Sequence, residues 1–152
     1  MASPLQATRA TFREAVRTYL WDRPPYNTLL PGFETNDPTL DLCVELALSD
    51  FNTTAPVIAD YTITNHPSFI ILLMGTVIQV LQSAGILSAR NRLDYSAGGI
   101  SVQISDKAQE YSSILTGLIQ QYEIKKRNLK IQLNMAQCYG GVSSEYAYTQ
   151  EY

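Results

Sequence analysis

The most constraining feature of the sequence is an apolar run of twenty residues, Ser68–Leu87 (SFIILLMGTVIQVLQSAGIL), without a charged side chain. Such a run is long enough to cross a bilayer. Its second half carries Gln79, Gln82 and Ser83, and the mean hydropathy of the whole chain is −0.08. From Phe69 to Leu81 it is apolar nearly all round, which is typical of a helix in the middle of a bundle. A buried central helix is therefore the preferred interpretation, and a membrane-associated helix is the alternative.

Three further helices are predicted around this central helix, which itself covers about residues 67–92. The first covers about residues 6–22, with a candidate capping box that starts at Thr11 and an earlier cap as the alternative. The second covers Asp37–Phe51, with the aspartate as its cap and a proline at the first helical position. The last covers about residues 106–138 and would be about 50 Å long at 1.5 Å per residue, so part of it is expected to project or to pack on a neighbour.

The segments that precede and follow the last helix have a different character. Tyr95–Ile104 (YSAGGISVQI) alternates around a Gly-Gly pair, which predicts a β-hairpin that forms an arm. Gly140-Gly141 ends the last helix, and the residues beyond it have no apolar periodicity. The sequence thus predicts a mainly α protein: a four-helix bundle-like domain over residues 1–141, with the arm at about 94–104, and an extended C-terminal tail over residues 142–152.

Charge is unevenly distributed along the chain. There are 11 Lys and Arg against 14 Asp and Glu, a net charge of −3, which excludes a generally basic, DNA-coating protein. Between Pro24 and Ala89 there are six acids and no Lys or Arg. This block is either a solvated acidic face or a surface for head-to-tail packing of identical subunits, acid against base. Charged residues make up only 16% of the chain, against a usual share of about 25%, so we expect much of the surface to be covered.

Subunit packing of this kind would use the acids of the second helix and the basic run of the last helix. These subunit-packing charges are Asp37, Asp41, Glu45, Lys125, Lys126, Arg127 and Lys130. The basic run is predicted to mark an exposed stretch. Contact with phosphate is an alternative for it, although neither interleaved aromatic residues nor a groove-reading motif accompanies the run.

The sequence offers no constellation that indicates catalysis or metal binding. His66 is the only histidine and precedes a proline at a helix start, so a structural or merely exposed role is favoured. Cys43 and Cys138 lack a second cysteine at a metal-binding spacing, and two free thiols are expected. Carboxylates one turn apart on the second helix could bind a divalent ion, but a solvated helix face is more common. We therefore predict a protein that is not an enzyme and that has no metal and no cofactor.

The C-terminal tail is the most unusual segment. Tyr139, Tyr146, Tyr148 and Tyr152 are four of the ten tyrosines in the chain. A disordered terminus is one interpretation. Tyrosines are, however, enriched at interfaces, and a tail joined through a Gly-Gly pair suits docking onto another surface.

Four phrases of the chain carry a resemblance to a known family. They are ALSDFNTTAP (47–56), SFIILLMGTVIQVLQ (68–82), RNRLDYSAGGISVQISDKAQEYSSIL (90–115) and GGVSSEYAYTQEY (140–152). Their order is a central apolar helix, a Tyr-Ser-x-Gly-Gly-x-Ser-Val arm, a long helix and a Val-Ser-Ser-Glu-Tyr tail. Over residues 10–152 the chain resembles the small head–tail connector (adaptor, or neck) proteins of tailed bacteriophages.

The resemblance implies a structural virion protein that forms a ring, commonly of twelve copies, beneath the portal protein. Such a ring joins the DNA-filled head to a further neck or tail protein, is assembled in the bacterial cytoplasm, and lets DNA pass through its lumen without sequence-specific binding. The implied portal-docking tail is Val142, Ser143, Ser144, Glu145, Tyr146, Tyr148 and Tyr152. The implied arm, which would contact a neighbour or a tail protein, is Tyr95, Gly98, Gly99, Ile100, Val102 and Ile104. Both the basic run and the acidic second helix are candidates for the lumen lining.

Two other functions remain open at this point. A tail completion or baseplate protein would share the ring but not the portal partner. A small membrane-associated bacterial protein would be built on Ser68–Leu87 instead.

Overall fold

A computed structural model describes residues 9–24, 26–27, 32–90, 96–97, 100–101 and 107–139 of the chain. These residues form a mainly helical protein, which confirms the predicted fold class at that level. The four helices are α1 (Arg9–Leu20), α2 (Asp37–Thr53), α3 (Phe69–Arg90) and α4 (Lys107–Tyr139).

The central position predicted for α3 is confirmed, because it packs against each of the other three helices. Leu72, Val77 and Val80 share one buried cluster with side chains of α1 and α2. Ile71 and Met74 belong to a second cluster, which includes α4. Burial of each such side chain contributes about 1.5–3 kcal/mol to folding, so α3 holds the bundle together on both sides.

The C-terminal part of α3 leaves the core, since Ile86 and Leu87 are exposed. By length and composition alone, Phe69–Leu87 would suffice to cross a membrane, a test that the core helix of a soluble protein also passes. Half of that window is buried by the rest of the chain.

Gly75 leaves room for the ring of Tyr122 where α3 packs on α4. A Cβ atom built on Gly75 would lie 3.1 Å from the ring of Tyr122, so a larger residue would have to displace that ring. Position 75 lies early in α3 and position 122 near the middle of α4. The last residues of α4, from Asn134 to Cys138, are exposed, as expected if this end of the helix projects.

The predicted helix starts are corrected by the structure. Asn36, not Asp37, is the cap of α2: its Oδ1 atom accepts a hydrogen bond from the Thr39 N–H at 2.9 Å. The proline therefore follows the first helical position. Thr11 is not the cap of α1, because the helix already includes Arg9 and Thr11 lies inside it, in agreement with the alternative of an earlier cap. The end of α1 has Trp21 in the left-handed region, with φ of 58°, and the Asp22 N–H returning to the Arg17 carbonyl at 3.0 Å.

Four residues between α3 and α4 form a short antiparallel pair. Strand β1 (Ser96–Ala97) pairs with β2 (Ile100–Ser101), with Ser96 opposite Ser101 and Ala97 opposite Ile100. The rest of the predicted arm lies outside the described residues, so an arm over 94–104 stays a prediction.

Residues 57–62, which follow α2, form no strand in the part of the chain that the structure describes. Two hydrogen bonds of the side-chain amide of Asn52 attach this segment to the end of α2. Its Oδ1 accepts from the Tyr61 N–H at 3.0 Å, and its Nδ2 donates to the Tyr61 carbonyl at 2.9 Å. This places Tyr61 against the end of α2.

Candidate functional site

The acids of α2 face a row of arginines on α1. Both helices carry these charges every four residues, which places each set on one face. Arg13 contacts Asp37 at 2.6 Å and Asp41 at 3.6 Å, and Arg17 contacts Asp37 at 2.6 Å. Arg9 pairs with Glu45. The two helices are therefore antiparallel, and we call this set of pairs the charge ladder.

The charge ladder changes the interpretation of the acidic block. The sequence left two interpretations open for Asp37, Asp41 and Glu45, a solvated face or pairing with bases of a neighbouring subunit, yet each already has an arginine of its own chain. Their carboxylates remain between one third and three fifths exposed, and a carboxylate has about four acceptor sites. They can thus accept a further bond from outside, but they are not unpaired acids.

The inner end of the charge ladder is buried. Arg17, which is 3% exposed, bonds Asp22 and Asp37, donates to the Thr35 carbonyl at 2.8 Å, and lies 4.1 Å from the ring centroid of Phe33. Burial raises the pKa of Asp22, but hydrogen bonds from the Glu34 and Thr35 N–H groups and the Asn27 amide, with the charge of Arg17, outweigh it and hold that pKa below its usual value. This cluster ties the loop before α2 to α1.

The prediction of an exposed basic stretch is wrong for two of its four members. Lys125 and Arg127 are exposed, but Lys126 and Lys130 are buried. They follow Tyr122 at intervals of four residues, so all three lie on the side of α4 that faces the bundle. Their apolar stems and charged ends are both enclosed by the chain.

Lys126 is paired with two carboxylates. Its Nζ atom lies 2.8 Å from Asp50 Oδ2 and 2.7 Å from Glu123 Oε1, and the Tyr122 hydroxyl donates to the same Asp50 oxygen at 2.7 Å. Burial lowers the pKa of Lys126, but the bonds to both carboxylates outweigh it and the pKa lies above its usual value. Burial and the adjoining Asp50 also raise the pKa of Tyr122. One carboxylate of α2 therefore holds two side chains of α4.

Lys130 lies one turn further and has no acid in contact within the described residues. Its Nζ atom donates a long bond of 3.4 Å to the Pro56 carbonyl and lies 4.5 Å from the ring centroid of Phe51. Burial lowers the pKa of Lys130, the charge of Lys126 lowers it further, and Asp50 opposes both. The two neighbouring lysines thus shift in opposite directions.

His66 has a structural position, as the sequence favoured. Its ring centroid lies 4.5 Å from that of Phe51, and Tyr61 packs at its edge. With its proton on Nδ1 the ring donates to the Ser68 carbonyl at 2.8 Å, while Nε2 is buried without a partner among the described residues. Burial lowers the pKa of His66 to about 4, and the charge of Lys130 acts in the same direction. The imidazole is therefore neutral at pH 7.

Within the part of the chain that the structure describes, neither cysteine belongs to a group of His, Cys, Asp or Glu that could hold a metal ion. Cys43 is buried on α2 and Cys138 is exposed near the end of α4, both with free thiols. Across the ranges that the structure covers, no group of three or more His, Cys, Asp or Glu could hold a metal ion. An open cleft of about 560 Å³ lies between α2 and residues 60–64, and the ion pair of Arg9 and Glu45 borders it.

Sequence reasoning missed the exposed apolar residues. On α4 these are Ile114, Ile124, Ile131 and Met135, and on α2 they are Leu42 and Leu46. The inner side of α4 packs through other residues, namely Leu115, Leu118, Ile119, Tyr122, Leu129 and Leu133. A second apolar periodicity on α4, offset from the first, was the signal that could have revealed this outer face.

No protein-family model, no curated protein and no solved structure matches the chain. The connector resemblance therefore stays a hypothesis that depends on the sequence phrases alone.

Most residues of the two other predicted sites lie outside the described residues. This holds for the whole portal-docking tail, Val142 to Tyr152, and for Tyr95, Gly98, Gly99, Val102 and Ile104 of the arm. Ile100 is the described member of the arm, in β2.

Proposed function

We propose that the chain is a structural, non-enzymatic subunit of a phage head–tail connector, which forms a ring, of twelve copies by family analogy, bound to the portal protein. The observation that carries this proposal is the pair of apolar faces on α4. One face packs into the bundle, and the other exposes Ile124, Ile131 and Met135 to solvent in a single copy. A soluble chain rarely leaves such a face uncovered unless another molecule covers it.

The size and shape of the chain support the same role. A 33-residue helix is about 50 Å long and exceeds the 22-residue α3 that it packs on. The projecting end of α4 leads directly into the tyrosine-rich tail that the resemblance assigns to the portal. The proposed hairpin arm lies at the other end of α4, so one subunit could engage a partner at each end.

Charges also fit a ring that lets DNA pass. The charge ladder neutralises much of α2 within the subunit, whereas Lys125 and Arg127 are exposed and contact no acid among the residues described. These two bases are the candidates for contact with either the neighbouring subunit or the DNA. Nothing in this arrangement recognises a base sequence.

The test is assembly on the portal protein. We expect the chain, mixed with assembled portal, to form a ring that cryo-electron microscopy resolves on the portal's tail side. A chain that stays monomeric both alone and with assembled portal would contradict the proposal. A monomer in isolation would not, because assembly can require the partner.

Deletion of Val142–Tyr152 separates the proposal from its nearest rival. Under the connector function the deletion abolishes binding to the portal and leaves the helical fold intact by circular dichroism. A tail completion or baseplate protein would retain head docking after this deletion. A membrane-associated protein would instead partition into membranes on expression, which the packing of α3 among three other helices disfavours.

A further inference from the structure

The exposed residues of α4 follow a single pattern. All of its exposed large apolar side chains in the described region fall on positions that alternate by three and four residues. This outer face of α4 consists of Ile114, Gly117, Gln121, Ile124, Asn128, Ile131, Met135 and Cys138. A Cβ at Gly117 would meet nothing within 4 Å, so the face is open there as well. Such a stripe is what a coiled-coil-like helix pair buries.

α2 has an outer face with the same spacing. It consists of Thr39, Leu42, Leu46, Ser49 and Thr53. Leu42 is 59% exposed and Leu46 is 45% exposed, and both are one turn apart in the middle of the face. Ser49 and Thr53 also line the open cleft, which gives this face a concave border.

The two outer faces belong to helices that pack on α3 through their opposite sides. α2 packs on α3 through Leu40, Val44 and Leu48, and α4 packs on it through Tyr122. Each outer face therefore points away from the bundle. The two faces of one copy are not available to each other.

The charges that flank these faces are complementary. Glu45 lies beside Leu46 and Asp50 follows one turn later. Both are already bonded within the chain, to Arg9 and to Lys126, but their side chains are 50% and 42% exposed and keep acceptor sites free. Lys125 and Arg127 lie on either side of the α4 face, and Lys125 has only the Met74 sulfur, at 3.7 Å, as a described contact. Two α4 faces would bring bases together, and two α2 faces would bring acids together, so charge favours pairing of unlike faces.

We propose that the outer face of α2 in one copy packs against the outer face of α4 in the next copy. The apolar stripes form the buried centre, and the acids of α2 meet Lys125 and Arg127 at its edge. A contact between unlike faces repeats from copy to copy, and closes into a ring when the rotation permits. The inference rests on the proposed function, for which it names the subunit contact.

The test blocks one face at a time and then mixes the variants. Leu46→Asp removes the α2 face, and Ile124→Asp removes the α4 face. Each variant retains one intact face, so each alone should be monomeric in sedimentation velocity, with self-association weakened at least about 30-fold. The two variants mixed should form a one-to-one heterodimer that grows no further, while the wild type forms larger species.

Gln137→Asp is the matched control, an added carboxylate at an exposed position of α4 outside the outer face. It should associate like the wild type. Thermal unfolding of all variants checks that each is folded, since the replaced side chains are exposed and their loss should not change the fold.

Several results would overturn the inference. Dimers of Leu46→Asp alone would show that α4 pairs with α4. If both variants associate as strongly as the wild type, neither face is used. If each variant is monomeric and the mixture forms no heterodimer, the α2 face and the α4 face do not bind each other. A wild-type chain that stays monomeric at millimolar concentration would also contradict the inference, because the two faces would then not bind each other in solution.

Portal binding separates failure of this inference from failure of the proposed function. If Leu46→Asp and Ile124→Asp still form rings on assembled portal, the contact is wrong and the connector function stands. If the wild type ignores portal, the function itself is wrong, whatever the two faces do in solution.

Discussion

The two sides of α4 show how one helix can serve two purposes. The inner side combines apolar residues with three buried polar ones, Tyr122, Lys126 and Lys130. These three can be buried because each bonds a partner on α2 or in the segment after it. The outer side has isoleucines without described partners, bordered by Lys125 and Arg127. Both sides of α4 thus carry basic and apolar residues, so residue type alone does not distinguish the buried side from the exposed side. What differs is that the inner side has partners among the described residues of the same chain, whereas the partner of the outer side is a proposal.

The largest effect should come from shortening an inner side chain. Tyr122→Ala removes a buried ring and leaves Asp50 without its phenolic donor, so we expect a loss of about 3–5 kcal/mol in the free energy of unfolding. Ile124→Ala, two residues away on the outer face, should change it by less than about 0.5 kcal/mol. Urea denaturation of both variants measures the difference. Equal losses would contradict the assignment of the two faces.

The next effect is the response to acid, through His66 beneath the inner side. Its folded pKa of about 4 lies below the unfolded value of 6.5, so the unfolded chain binds the extra proton between these values. Stability is thus fully present above pH 6.5 and falls as the pH drops to about 4, by roughly 3 kcal/mol at about 1.36 kcal/mol per pKa unit. The variant His66→Leu should lose most of this slope in denaturation curves taken across the window. An unchanged slope would assign the effect to other groups.

The two buried lysines should respond oppositely to the same replacement. Lys126→Met leaves Asp50 and Glu123 without their cation, and should cost about 2 kcal/mol of stability. Lys130→Met removes a buried charge that contacts no described acid and keeps the stem over Phe51, so we expect a gain of about 1 kcal/mol or no change. Thermal unfolding of the two variants at pH 7 provides the comparison. A larger loss for Lys130→Met would mean that its bond to the Pro56 carbonyl matters more than its burial.

The smallest effect concerns the ion pairs of the charge ladder. Arg13→Ala should cost less than about 1 kcal/mol, because the Asp37 side chain that it contacts is 57% exposed. At about 1 M salt the cost should nearly vanish, since exposed pairs are screened there. The loss from Lys126→Met should persist at the same salt concentration. A salt-independent loss for Arg13→Ala would show that the ladder is more enclosed than its exposure indicates.

Much of the helical framework could be predicted from periodicity and capping signals. The bounds of α2 and α4 differ from prediction by one or two residues, and the all-round apolar pattern of α3 led directly to its central position. These features depend on local sequence, which is why they could be found. The cap of α2 shifted by one residue because Asn36 and Asp37 are both good capping residues.

The burial of Lys126 could not be predicted, because its partner Asp50 lies 76 residues away in the sequence. The charge ladder could have been predicted more easily from the sequence, because the arginines of α1 and the acids of α2 share a spacing of four residues. Their pairing still required the knowledge that these two helices pack antiparallel. Without it, an excess of acid in one block suggested pairing between subunits rather than within one.

The small size of Gly75 has a consequence for how accurately α3 and α4 must be positioned. A methyl group there would lie 3.1 Å from the Tyr122 ring, so the ring would have to give by a few tenths of an ångström, and a small shift of α4 relative to α3 is one way to provide this space. In a monomer such a shift is absorbed once, at little cost. In an assembly of identical copies whose contacts involve α2 and α4, the same shift recurs at every copy and its rotational error accumulates around the circumference. A residue buried inside one subunit would then govern the curvature of the whole assembly.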